Sequence, residues 1–248
     1  MIIDSHVHIG KTEKTERYFS FDSYLEAMKK YLIDKSIIMP NVSSIIKSRL
    51  LNFEFLKKYD ELTKLDKNKF YPFLLIDPND DLTKKEIQDN LNKIKGVKYH
   101  PSITTTLCTD KKVYSIFESF PDNFIILVHC GRNWRSHISY ILKAASDFKH
   151  LNFIAAHMAG NATDLIEEAL NLINNSKLDN VFIDISTSKL PWLIERAIQK
   201  IGDDKILFAS DEPYSDTLVT KYCLSLAIMT KESYDKILYK NILSILGK

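Results

Sequence analysis

FIILVHCGRNWRSHISYILKAASDFKHLNFIAAHMAG (residues 124–160) holds two apolar runs, FIILV and NFIAA, each ending in a histidine. Between them HISYILKAASDF (137–148) has the spacing of an amphipathic helix. An apolar run, a helical stretch and a second apolar run read as a βαβ unit with parallel strands, since the short crossover brings the chain back on one side of the sheet. Runs apolar at nearly every position fit strands covered on both faces.

The same alternation extends over the chain. Further runs are MIID (1–4), SIIMP (36–40), FYPFLLID (70–77), GVKYHP (96–101), VFIDIS (181–186) and KILFASDEP (205–213). With the two above they make eight. Helical patterns include FDSYLEAMKKYLI (21–33), SIFESF (115–120), TDLIEEALNLI (163–173) and LPWLIERAIQKI (190–201), with Trp192 read as packing. Eight βα units in 248 residues predict an α/β fold, a (β/α)8 TIM barrel with a parallel eight-stranded barrel, as one domain over 1–248. A doubly wound open sheet would carry a glycine-rich phosphate turn; this chain has six glycines and no GxGxxG. The tail 230–248 reads as a helix capped by Thr230, with Glu232 in its first turn, and then a short closing helix.

Composition narrows the function. Thirty-four basic against 32 acidic residues leave a net charge of +2, too balanced for a nucleic-acid or anionic membrane surface. No apolar run approaches the roughly 20 residues of a membrane span. Cys108, Cys130 and Cys223 are odd in number and form no CxxC, so a reducing cytoplasm is expected, with no leader segment. A small-molecule substrate is the expected partner, and a homo-oligomer is left open.

The active face of such a barrel lies at the C-terminal ends of its strands. Five of the seven histidines fall there: His6 and His8 on strand 1, His100 on strand 4, His129 on strand 5 and His157 on strand 6. Asp211 ends strand 8, and Lys98 sits on strand 4. His137 and His150 fall in or beside helices. Five histidines at one barrel edge would make an odd core, because each needs a buried partner; a shared metal or catalytic centre accounts for them together. Side chains alternate along a strand, so His6 and His8 project to one side about 6.6 Å apart and can converge on one ion. Asp4 lies on that side, one step deeper, as an acceptor for a ligand histidine N–H or as a buried cap. Cys130 is expected to be a small buried hydrophobe, and Tyr99 and Met158 to face the helices.

DSHVHIG (4–10), GVKYHP, ILVHCG (126–131), AAHMAG (155–160), LFASDEPY (207–214) and the tail with Asn241 occur in the order seen in the amidohydrolase superfamily, and the chain resembles its amidohydrolase-2 branch. The resemblance implies His6, His8, His129 and Asp211 as metal ligands, and His157 as a ligand or the residue that polarises substrate. It implies Asp211 and His157 as the catalytic pair, with Asp211 taking a proton from water. Lys98 is implied as a carboxylated bridge between two ions or, without modification, as a partner of a carboxylate or substrate. The implied cofactor is a divalent metal, zinc first, with manganese, iron or nickel as alternatives; one ion is preferred to two. His100, together with Arg132 and Asn133 after strand 5, and Glu212 and Tyr214 beside Asp211, are candidates for substrate binding. The expected activity is metal-dependent hydrolysis of a small amide, lactone or ester. The alternative is a non-oxidative decarboxylase or hydratase of the same superfamily, ahead of a TatD-like nuclease or a silent binding barrel. TatD-type nucleases carry a glutamate on strand 4 and a threonine before the strand 8 aspartate, where this chain has Lys98 and Ser210. PHP-type phosphoesterases end in Asp-x-His, where this chain has Asp211-Glu212-Pro213.

Overall fold

A computed structural model describes residues 1–11, 18–44, 46–62 and 68–247. Lys248, the last residue of the tail, lies outside them. Among the described residues the strands are β1 (Ile3–Lys11), β2 (Tyr18–Phe19), β3 (Lys35–Pro40), β4 (Phe70–Leu75), β5 (Gly96–Tyr99), β6 (Ile125–Val128), β7 (Asn152–Ala155), β8 (Val181–Asp184) and β9 (Ile206–Leu207). The sheet order is β2-β1-β3-β4-β5-β6-β7-β8-β9. β2 pairs antiparallel with β1, and every other pairing is parallel. The segment after β9 returns to β1: Ser5 N–H donates to Phe208 O at 3.0 Å, Asp211 N–H to His6 O at 2.8 Å, and His8 N–H to Glu212 O at 2.8 Å. The first and last parallel strands are thus joined, and the fold is the predicted TIM barrel. β2, beside the end of β1, is an addition to the predicted eight.

The helices are α1 (Phe21–Tyr31), α2 (Ser48–Leu62), α3 (Thr83–Asp89), α4 (Pro101–Thr104), α5 (Lys111–Phe117), α6 (Ile138–Asp147), α7 (Thr163–Ser176), α8 (Pro191–Ile201), α9 (Thr217–Leu226), α10 (Lys231–Asp235) and α11 (Asn241–Ile245). None is long and apolar enough to cross a membrane.

Alternation along the strands sorts the core into two layers. Ile37, Met39, Phe73, Ile125, Leu127, Ile154, Phe182 and Leu207 meet in one cluster, the lumen. Their neighbours Ile38, Leu74, Ile126, Val128, Phe153 and Ile183 pack outward among helix residues such as Ile141 and Leu170. Tyr99, Cys130 and Met158 belong to the outer layer, as predicted. Lumen packing is tight at Gly96. A Cβ there would stand 2.4 Å from Ile125 O and 2.5 Å from the Phe73 ring, so only glycine fits in register with Phe73.

Thr230 caps α10 as expected, its hydroxyl accepting from Ser233 N–H at 3.0 Å. Asn241 Nδ2 donates to Asp203 O and Ile206 O, at 2.7 and 2.8 Å, tying the tail to the last strand. Ile242 and Ile245 then pack into the lumen cluster. One reading is corrected: Trp192 is 46% exposed rather than packed, because Leu193, Ile194 and Ala197 form the buried face of α8.

Candidate metal centre

Asp211, His6 and His8 come from the two segments that close the barrel. The β1–β3 register shifts between Asp4 and Val7, and Val7 joins the outer layer while His6 and His8 are buried on the other side. Their Nε2 atoms lie 3.1 Å apart. Asp211 Oδ1 lies 3.3 Å from His6 Nε2 and 3.5 Å from His8 Nε2. The Asp211 backbone is left-handed, φ 63°, in a turn held by its N–H on His6 O and by Tyr214 and Ser215 N–H groups on its carbonyl. Such conformations in residues with a side chain collect at sites where geometry is over-determined by function.

Hydrogen-bond chemistry fixes the state of these nitrogens. His6 Nδ1 lies 2.9 Å from Asp184 Oδ2. Burial opposes ionisation of Asp184, but the bonds from His6 and Ser186 outweigh it and pull its pKa down to about 2. An ionised carboxylate only accepts, so His6 carries its proton on Nδ1. Burial and the charge of Lys98 lower the His6 pKa to about 4, so the ring is neutral near pH 7 and Nε2 is a bare lone pair. His8 Nδ1 lies 3.1 Å from Pro40 O, also an acceptor only, so His8 carries a proton on Nδ1 and turns Nε2 toward His6 and Asp211. Burial works against the Asp211 charge, yet the surrounding histidines hold its pKa far below the usual carboxylate range.

Two imidazole Nε2 atoms and a carboxylate oxygen therefore converge on one point, an arrangement that a cation would hold together. Lys98, buried in the lumen, donates to His6 Nε2 at 2.8 Å. Burial lowers its pKa to about 8 against the pull of Asp211 and Asp184. Ligands held about 2.0–2.2 Å from a tetrahedral ion stand roughly 3.3–3.6 Å from one another. The two Asp211 contacts, 3.3 and 3.5 Å, fall in that range and the His6–His8 contact, 3.1 Å, lies just short of it, so the donor set fits a divalent metal.

Asp184 carried no assignment from sequence, yet it ends VFID just as Asp211 ends its own run. Alternation from the lumen residue Phe182 points it inward. Asp4, by contrast, caps backbone: its Oδ1 accepts from Ser210 N–H at 2.9 Å and His6 N–H at 3.3 Å. Asp184, not Asp4, is the acceptor for a ligand histidine.

His157 follows β7 in a tight turn in which His157, Met158 and Ala159 are all left-handed, φ 59°, 54° and 63°. Its Nδ1 lies 2.9 Å from Ser186 Oγ and its Nε2 3.1 Å from His129 Nδ1. The His129 and His100 rings stack at 3.8 Å and 12°, and burial lowers the pKa of both well below the ordinary histidine value. Among the described residues, the groups with ligand atoms within 4.8 Å of one another are His6–His8–Asp211 and His6–His157–Asp184; His129 reaches them only through His157.

The substrate candidates divide. His100 and Lys98 line a cavity of about 240 Å³ with Asp77, Ser44 and Thr105. The Tyr214 ring stands edge-on to His8 at 5.5 Å. Glu212 Oε1 accepts from Thr217 N–H and hydroxyl, both at 3.0 Å, where it caps α9. Asn133 Oδ1 caps the turn after β6 through Arg135 N–H at 3.0 Å, and Arg132 is exposed. A larger cavity, about 680 Å³, opens between β1, β3 and α2, and none of the site histidines lines it.

The amidohydrolase family profile matches residues 97–248, more than half of the chain. The chain belongs to the amidohydrolase family. No curated protein matches it in sequence. Solved amidohydrolase-like barrels superpose over the whole length. An uncharacterised TIM-barrel protein from Bordetella bronchiseptica shares 18% identity at TM-score 0.78, covering 100% of this chain and 99% of that one. A dihydroxybenzoic acid decarboxylase from Polaromonas, with manganese and 2-nitroresorcinol bound, shares 14% at 0.73, covering 99% and 96%. A 4-oxalomesaconate hydratase from Rhodopseudomonas palustris shares 16% at 0.75, covering 100% and 96%.

Proposed function

We propose that this amidohydrolase is a metal-dependent lyase acting on a small organic carboxylic acid, by decarboxylation or by addition of water. The observation that carries the reading is where the donors sit: His6, His8 and Asp211 converge beside Lys98, which lines the small cavity with His100. An ion on those donors and the Lys98 amine would together give an anionic substrate group its partners. The decarboxylase and hydratase among the similar barrels support this over amide or ester hydrolysis.

When bound, the ion supplies Lewis-acid polarisation of a substrate oxygen. The protein's residues do the rest. His6 and His8 would hold the ion through their Nε2 atoms, with Asp184 and Pro40 O fixing their rings. Asp211, ionised and buried, would share in holding it and receive the proton of an attacking water in hydration. Lys98 and His100, at the inner end of the small cavity, would orient the substrate carboxylate, and Tyr214 would close over His8. One ion is proposed, since the three donors converge on a single point. Hydrolysis of a lactone or ester would use the same Asp211 and stands as the second reading.

The test is a panel of aromatic and unsaturated carboxylic acids, with lactones and esters alongside, given to protein loaded with zinc or manganese. Carbon dioxide release or hydration of an acid is the expected result. Hydrolysis of the neutral esters with every acid inert would overturn the proposal.

A further inference from the structure

Asp184 touches both halves of the site. Its Oδ2 accepts from His6; its Oδ1 accepts from His157 N–H at 2.9 Å, Ser186 N–H at 3.0 Å and Ser186 Oγ at 2.5 Å. The directions follow from donor counting. Asp184 Oδ1 accepts from two backbone N–H groups and from the Ser186 hydroxyl, so the single hydroxyl proton of Ser186 points to it. Ser186 Oγ can then only accept from His157 Nδ1, 2.9 Å away. With its ring proton on Nδ1, His157 turns Nε2 to His129 as an acceptor. His129 Nδ1 must donate to that nitrogen across 3.1 Å, which bares His129 Nε2 in turn. Gly131 leaves this last nitrogen open: a Cβ there would stand 3.3 Å from it.

We propose that Asp184 and Ser186 are positioning residues that set the tautomers of His6, His157 and His129 through one unidirectional chain of hydrogen bonds. One carboxylate thereby turns the Nε2 atoms of His6, His157 and His129 into electron-pair donors. The consequence concerns His157: its Nε2 has no proton to offer, so the ring cannot polarise a substrate oxygen by donating a hydrogen bond from that atom. The left-handed turn at 157–159 begins at the residue whose N–H donates to Asp184 Oδ1, so the same carboxylate holds the turn and the ring.

The inference rests on the proposed metal centre for its functional meaning but not for its test, which begins with the metal-free protein. Long-range ¹⁵N–¹H spectra of the imidazole rings distinguish Nδ1–H from Nε2–H. The expected result is Nδ1–H for His6, His157 and His129. Ser186→Ala should release His157 from that tautomer while His6 keeps its own, and Ser186→Thr, which restores the hydroxyl, should return it. In the loaded enzyme Ser186→Ala should lower kcat about 10–100-fold with KM and metal stoichiometry unchanged, and Asp184→Asn should weaken metal affinity about 10–100-fold in chelator competition. Nε2–H on His157 in the wild-type protein, or a tautomer indifferent to Ser186→Ala, would overturn the inference. Wild-type tautomers as expected in a protein that binds no metal would instead overturn the metal reading alone.

Discussion

Asp211→Asn is expected to lower kcat on a responsive acid by about 10²–10⁴, the range for loss of a positioned proton acceptor. The substitution suits the question because it spares the backbone. Asp211 sits at φ 63°, a region asparagine enters with little cost, so the turn and its bonds to His6 O, Tyr214 and Ser215 should persist. Assays at saturating metal with thermal melts alongside separate catalysis from folding. An unchanged melt with kcat within about threefold of wild type would remove Asp211 from the chemistry.

The second large effect concerns the first strand. His8→Ala should lower metal affinity well beyond the roughly 10–100-fold typical of residues behind the ligands, while the fold holds, since among the described residues the His8 ring bonds to the protein backbone only at Pro40 O. His6→Ala should lose metal equally and also cost about 3–5 kcal/mol of stability. It strips Asp184 of the proton on its Oδ2 side and Lys98 of its acceptor, leaving buried charges without compensation. Isothermal titration with zinc and chemical denaturation of both variants measure the two effects. Equal stabilities for the two would contradict the role given to Asp184.

The contrast between these histidines shows what sequence could reveal. Near-continuous apolar runs at βα spacing specify the barrel, because a strand covered on both faces has few alternatives. His6 and His8 were legible because a two-residue step keeps them on one side of a strand. Asp184 obeyed the same rule, in phase with Phe182, but a lone carboxylate within VFIDIS carries no pattern of its own; its meaning comes from His6, 178 residues away. His157 was placed at a strand end for a different physical reason than the one that holds it there. Alternation from Ile154 and Ala156 would send residue 157 outward, and three successive left-handed residues turn it back. No glycine stands at 157–159, and Gly160, which closes the turn on His157 O, is not itself left-handed, so residue-type signals for positive φ were absent. Glu212 and Asn133 illustrate the converse: polar residues beside an active strand end whose side chains are engaged as caps.

The central claim is that His6, His8 and Asp211 together hold one divalent ion. Anomalous diffraction at the zinc or manganese edge, from crystals of the loaded protein, tests it most directly. The account predicts one peak about 2.0–2.2 Å from His6 Nε2, His8 Nε2 and an Asp211 oxygen, with Lys98 displaced from His6. A loaded crystal with no peak there, or with its ion on His129 and His157 instead, would contradict it.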